Sequence, residues 1–330
     1  LLCWCAGACA GEAADDEQAD YETVRSRLGE LWQEERYEEA AILLEDALPR
    51  FPDHVQVNAF NLALVRGRLG ETASGMEALR YALSRGVWFS VYAFGQPQWD
   101  GYREQEGFAD ILASNDSLRA VAQRHARPGV KVVLPDAYDR EGEYPLFIAL
   151  HGGGGNMEDF SETWESGLLS DSFVVAYLQS SRVASMDGYS WTLDLDVSRA
   201  EIVDAYHRLI DDYPIDVEQV VVGGFSAGGI AALDVVLRDT LPAAGFVVLC
   251  PGRPDSFTDA AVARMADRGV RGTILTTEMD PNLSVQREMV ELLEHAGVQH
   301  QFVVTPDVGH WIPEHLDAMI DQAIVHLRSR

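Results

Sequence analysis

A chain of 330 residues, 47% hydrophobic and 24% charged, has material for one or two folded domains. Aspartate and glutamate outnumber lysine and arginine by 53 to 25, a formal charge of −28 with Lys131 as the single lysine. So acidic a surface argues against nucleic acid and against anionic membranes as partners.

The first residues, Leu1-Leu2-Cys3-Trp4-Cys5-Ala6-Gly7-Ala8-Cys9-Ala10, read as the end of a signal peptide, with Ala8-Cys9-Ala10 as its cleavage site. A second reading takes Ala6-Gly7-Ala8-Cys9 as a lipobox lacking the usual leucine, with a lipid anchor on Cys9 as the route to a membrane. Both predict an exported protein: periplasmic, extracellular or lipid-anchored. A third is a truncated soluble chain. The acidic stretch 12–20 reads as a disordered tether. Three of the four cysteines lie in this leader, so Cys250 has no disulfide partner in the body.

Residues 21–86 carry helical periodicity and an internal repeat. Ala40, Leu44 and Ala47 recur as Gly75, Leu79 and Ala82, each 35 positions later. Helices are predicted at 21–34, 37–49, 53–69 and 72–85. The period resembles that of tetratricopeptide repeats, which implies a surface for a protein partner. Two such units bury too little apolar surface to stand alone. The layer 21–127 is therefore expected to dock on the rest of the chain. The run 88–108, with Trp88, Phe89, Tyr92, Phe94, Trp99, Tyr102 and Phe108, is expected to form that interface. A helix at 116–125 leads out of the layer.

From 128 the pattern changes. Strands are predicted at 130–134, 145–150, 173–178, 219–224, 245–250, 272–277 and 300–305. Helices at 198–212, 227–238, 258–268, 284–296 and 313–328 alternate with the later strands. Such alternation gives a mostly parallel sheet flanked by helices, an α/β domain over 128–330 preceded by an all-α helical-repeat domain.

Strand ends in this domain carry the chemistry. Gly224-Phe225-Ser226-Ala227-Gly228 lies between the buried run Val220-Val221-Val222 and an apolar helix. This is a G-x-S-x-G elbow in the setting that presents a serine hydroxyl at the carboxyl edge of a sheet. The strand 145–150 runs into His151-Gly152-Gly153-Gly154-Gly155, whose main-chain N–H groups can turn toward a substrate oxygen. Asp280 follows the strand 272–277, and His310 follows the strand 300–305, 30 positions after Asp280. Ser226, Asp280 and His310 thus occur in the order nucleophile, acid, base. Asp255 is a rival for the acid; Asp307 is too close in sequence to His310, and Glu278 belongs to the strand end. His151 has a structural part beside the glycines, and His207, His295, His300, His315 and His326 read as surface residues. No H-E-x-x-H or paired-cysteine spacing suggests a metal, and no cofactor is expected.

The segments LHGGGGN (150–156), YSWTLD (189–194), PIDVEQVVVGGFSAGGIAAL (214–233), TEMDPNL (277–283) and PDVGHWIPE (306–314) resemble the α/β-hydrolase superfamily. Within it they are similar to the phospholipase/carboxylesterase branch, which includes acyl-protein thioesterases. That branch usually has glutamine after the nucleophile, where this chain has Ala227. The donor there is a backbone N–H, so the chemistry survives the change, while feruloyl, acetyl-xylan and polyhydroxyalkanoate-type esterases stay open as subfamilies. The resemblance implies an α/β-hydrolase fold, with an oxyanion hole formed by the amides of Gly153 and Ala227. The expected function is a serine esterase acting on a small-molecule or polymer-linked ester. The alternatives are a peptidase or thioesterase on the same triad, and a non-catalytic partner-binding protein. Trp164, Trp191 and Trp311, on loops at the catalytic edge, are expected to receive the non-polar part of the substrate, with the helical layer bordering the mouth.

Overall fold

The computed structural model describes residues 12–329, and the leader with Cys3, Cys5 and Cys9 lies outside the described residues. The chain divides into two compact units after Arg124. Among the described residues no helix is long and apolar enough to cross a membrane.

The first unit is all helical: α1 (Glu12–Gln33), α2 (Tyr37–Arg50), α3 (Val55–Arg68), α4 (Thr72–Ser84), the single turn α5 (Asp100–Arg103) and α6 (Phe108–His125). α1 takes in the acidic stretch 12–20 that reads as a tether, because nothing in Glu-, Ala-, Asp- and Gln-rich sequence interrupts a helix. α2 has Glu38 and Glu39 in its first turn and Arg50 in its last, matching the helix dipole. Ala40, Leu44 and Ala47 of α2 and Gly75, Leu79 and Ala82 of α4 are all buried, so the 35-residue offset marks equivalent inward faces.

The aromatic run departs from expectation. Phe89, Trp99, Tyr102 and Phe108 belong to the same buried cluster as α2, α3 and α4, so the run completes the core of its own unit. Phe94 lies edge-on to Trp99 at 4.9 Å and to Phe108 at 5.8 Å. Gly75 takes the place of the repeat's Ala40 because Tyr102 fills the space: a Cβ there would lie 1.8 Å from the phenolic oxygen, which donates to the carbonyl of Ala63. Asn115 ties α6 to this run, accepting from Phe89 N–H at 2.7 Å and donating to Phe89 C=O at 3.1 Å. Aromatic mass thus makes up for the low number of repeats.

The second unit is a seven-stranded sheet: β1 (Gly129–Val133), β2 (Tyr144–Leu150), β3 (Val174–Gln179), β4 (Ile215–Phe225), β5 (Ala243–Leu249), β6 (Arg271–Thr277) and β7 (His300–Thr305). Their order is β1-β3-β2-β4-β5-β6-β7, with only β1 antiparallel. The interleaved helices are α7 (Met157–Thr163), α8 (Gly167–Ser172), α9 (Leu195–Asp212), α10 (Ala227–Leu237), α11 (Asp259–Asp267), α12 (Leu283–His295) and α13 (Leu316–Arg328).

The near-continuous apolar runs of the central strands are explained by cover on both faces. Leu146, Ile148 and Leu150 face one core with Ile202, Leu209, Val262, Met289 and Leu293 of the helices. Phe147 and Ala149 point the other way, to Phe160, Leu169, Leu316, Ile320 and Ile324. α7 and α8 escape the sequence reading because they are short and carry their start signals in side chains. Asn156 caps Asp159 N–H at 2.9 Å, and Ser166 caps Leu169 N–H at 3.3 Å.

Candidate active site

β2 and β4 pair in register through Leu150 and Gly224, so both strands end at the same edge of the sheet. Ser226 lies between β4 and α10 with φ 52° and ψ −111°, a conformation that costs a non-glycine residue about 1–3 kcal/mol and needs a firm surround. Its N–H donates to Leu249 C=O at 2.9 Å. The flanking glycines are required by close approach. A Cβ on Gly224 would lie 2.4 Å from the carbonyl oxygen of Leu150, and one on Gly228 would lie 2.1 Å from the same atom and 2.6 Å from that of His151. Gly228→Ala therefore has to push backbone from backbone. It is expected to cost at least about 1–3 kcal/mol, the scale of overpacking a rigid interior, and to lower the thermal unfolding midpoint measurably.

Those contacts also place the glycine loop beside Ser226. Gly153 is exposed on this loop, and Gly154 turns through φ 82°. Gly154 N–H donates to Tyr189 C=O and Tyr189 N–H to Gly155 C=O, both at 2.8 Å, so the segment around Tyr189 braces the loop from outside. From inside the brace is His151. Its Nδ1–H donates to Gly152 C=O at 2.8 Å, its Nε2 accepts from Ser180 N–H at 3.4 Å, and its ring lies 5.2 Å from that of Trp191.

Burial pushes the His151 pKa down to about 4, against the opposing hydrogen bond to Gly152, so the ring is neutral in the folded protein. Unfolded, the same imidazole takes up a proton near its ordinary 6.5. The unfolded chain then binds more protons between those values, and stability falls as pH drops from about 6.5 toward 4, by roughly 3 kcal/mol when complete. Urea unfolding at pH 7 and pH 5 should show this loss, and His151→Asn should flatten it.

His310 reaches the elbow from the loop after β7. Its Nε2 lies 2.8 Å from Ser226 Oγ and its Nδ1 lies 3.0 Å from Asp280 Oδ2. Ser226, His310 and Asp280 are thus brought into one hydrogen-bonded chain. Phe225 is a member of this site that sequence reading passes over. Its ring lies 5.3 Å from the His310 ring and covers Gly152, where a Cβ would meet it at 2.7 Å. The variable position of the elbow motif is its only sequence signal.

The Asp280 side chain is wholly inaccessible to solvent. Burial works to raise its pKa, but hydrogen bonding from Cys250, the Asn282 N–H and His310 outweighs burial and holds the carboxyl below its ordinary value. Asn282 N–H lies 2.7 Å from Oδ1. The other acids are elsewhere: Asp255 is exposed, while Asp307 is exposed and donates its N–H to Glu278. Cys250, Asp280 and His310 also have ligand-type atoms within 4.8 Å of one another. Burial and the neighbouring Asp280 raise the Cys250 thiol to about 12, so by itself it is a neutral hydrogen-bonding group at physiological pH.

Two of the three tryptophans do not meet the expectation placed on them. Trp164 is fully buried with Phe160 and Phe173, and Trp191 is 1% exposed behind His151, so neither has surface to offer a substrate. Both sit in short segments that fold back into the core, which a strand-end position alone does not reveal. Trp311, directly after His310, is 68% exposed, and Met279, directly before Asp280, is 62% exposed.

The Alpha/beta hydrolase family profile matches residues 147–277, the stretch from β2 through the elbow to the end of β6. The second unit has the α/β-hydrolase fold. A crystal structure of an uncharacterized protein from Bacillus cereus ATCC 10987 is similar at 22% identity over 93% of this chain and 98% of that one, with a TM-score of 0.53, a likeness of fold. The Bacillus cereus carboxylesterase aligns at 18% identity over 63% of this chain and 99% of its own, TM-score 0.47. Porphyromonas gingivalis dipeptidyl peptidase 4 aligns at 19% identity over 61% of this chain and 33% of its own, TM-score 0.48. No curated protein sequence matches the chain. Among the described residues the first unit has six α-helices.

Proposed function

We propose that the chain is a serine hydrolase of carboxylic esters that works through an acyl-enzyme. The observation that carries this is Ser226 Oγ at 2.8 Å from His310 Nε2, on a strained turn at the carboxyl edge of the sheet. His310 takes the Ser226 proton as Oγ attacks the ester carbonyl, then returns it to the departing alcohol. Asp280 holds the imidazole with its proton on Nδ1 and stabilises the cation that forms. The amide of Gly153, an exposed residue, and that of Ala227 at the first position of α10 receive the oxyanion, each such donor being worth about 10²–10³ in rate. Water then releases the acid by the same route. Exposed Trp311 beside the base is the surface for the substrate's non-polar part.

A panel of p-nitrophenyl esters, an acyl thioester and peptide p-nitroanilides, each run with and without EDTA, tests this reading. It predicts turnover of the esters, unaffected by EDTA. Preference for the thioester or anilide would move the chain to a thioesterase or peptidase, and activity that needs a divalent ion would contradict the mechanism.

A further inference from the structure

Beneath the Ser226–His310–Asp280 chain lie buried polar side chains with no part in the mechanism above. Thr276, Thr277 and Gln286 are each 0% exposed. A primary amide or a hydroxyl is costly to bury, and an apolar side chain would pack a helix against a sheet as well. Their hydrogen bonds show what they hold.

We propose that Gln286 and Thr277 are positioning residues of the catalytic chain: Gln286 fixes the Asp280 carboxylate and Thr277 fixes the loop that carries His310. Gln286 sits in the first turn of α12. Its Nε2 donates to Pro251 C=O at 3.0 Å and to Asp280 Oδ2 at 3.4 Å, while its Oε1 accepts from the Thr276 hydroxyl. With two obligate acceptors on one side, the amide's orientation is set. It joins the end of β5, the end of β6 and the acid's loop, and it grips the same carboxylate oxygen that His310 uses.

Thr277 acts on the other partner. Backbone bonds lace the two loops together as far as Val308: Glu278 N–H to Thr305 C=O at 2.8 Å and Met279 N–H to Val308 C=O at 3.0 Å. The carbonyl of the next residue, Gly309, accepts from the Trp311 N–H at 2.7 Å. Thr277 Oγ1 donates to the Gly309 carbonyl at 2.6 Å, immediately before His310. The Cys250 Sγ lies 3.6 Å from the same Thr277 oxygen.

This inference rests on the triad reading, and the test separates the two. Full-length wild type, Gln286→Met, Thr277→Val and Thr277→Ser are compared in p-nitrophenyl ester turnover and in the rate of labelling by a fluorophosphonate, with thermal midpoints as the check on folding. Loss of a positioning bond should lower kcat and the labelling rate about tenfold in Gln286→Met and in Thr277→Val, with KM almost unchanged. Thr277→Ser, which keeps the hydroxyl, should recover most of the loss. The Thr277 pair decides the matter even if Gln286→Met does not fold. Wild-type kcat in the Met and Val variants, or a Ser variant as impaired as Val, would overturn the proposal. A wild-type chain that neither turns over nor labels would instead overturn the triad reading, and the proposal with it.

Discussion

Ser226→Ala is expected to lose ester hydrolysis by ~10⁴-fold or more, the usual cost of removing a triad nucleophile. The side chain stands half-exposed at the end of β4, and among the described residues it hydrogen-bonds to His310. Removing Oγ therefore opens no cavity in the core. The strained backbone at φ 52° is held by the Leu249 carbonyl and by the Gly224 and Gly228 approaches, none of which involves the hydroxyl. The thermal midpoint should stay within a few degrees of wild type. Steady-state turnover of a p-nitrophenyl ester measures the loss, and undiminished turnover would remove Ser226 from the mechanism.

The second large effect belongs to the acid. Asp280→Asn is expected to lower kcat by ~10³–10⁴-fold, because a neutral amide at that position favours the wrong imidazole tautomer and no longer stabilises the cation. Asp255→Asn and Asp307→Asn should stay within about threefold of wild type. Both are exposed, and the Asp307 contact to Glu278 is made by its backbone rather than its carboxylate. The three variants, assayed side by side on one ester, check the assignment. A crippled Asp255→Asn with an active Asp280→Asn would place the acid on the neighbouring strand.

The central sheet was legible because its strands are apolar on both faces and lie between helices of clear periodicity. All seven appear within a few residues of the predicted spans, the widest difference being β4, which begins at Ile215. The elbow, the glycine loop and the loops of Asp280 and His310 were legible as well, since each follows a buried strand and carries residue types suited to its chemistry. Position after a strand proved a poor guide for tryptophan. Trp164 and Trp191 pack into the core, and only Trp311 is exposed, because burial of an indole depends on the path of the following segment rather than on sequence type. The aromatic run likewise looked like surface in need of a partner. Its true partner is the repeat helices, which it meets through glycines at 67 and 75 that admit Tyr102. Gln286, Thr277 and Phe225 gave no motif to read, since their roles come from hydrogen bonds and ring contacts between segments far apart in sequence.

The most direct test of the account is covalent. The full chain is treated with a fluorophosphonate at neutral pH, and the modified peptide is located by mass spectrometry. The account predicts one phosphonyl group per chain, on Ser226, with labelling abolished in His310→Ala. An unlabelled wild-type chain, or a label on any other residue, would contradict it.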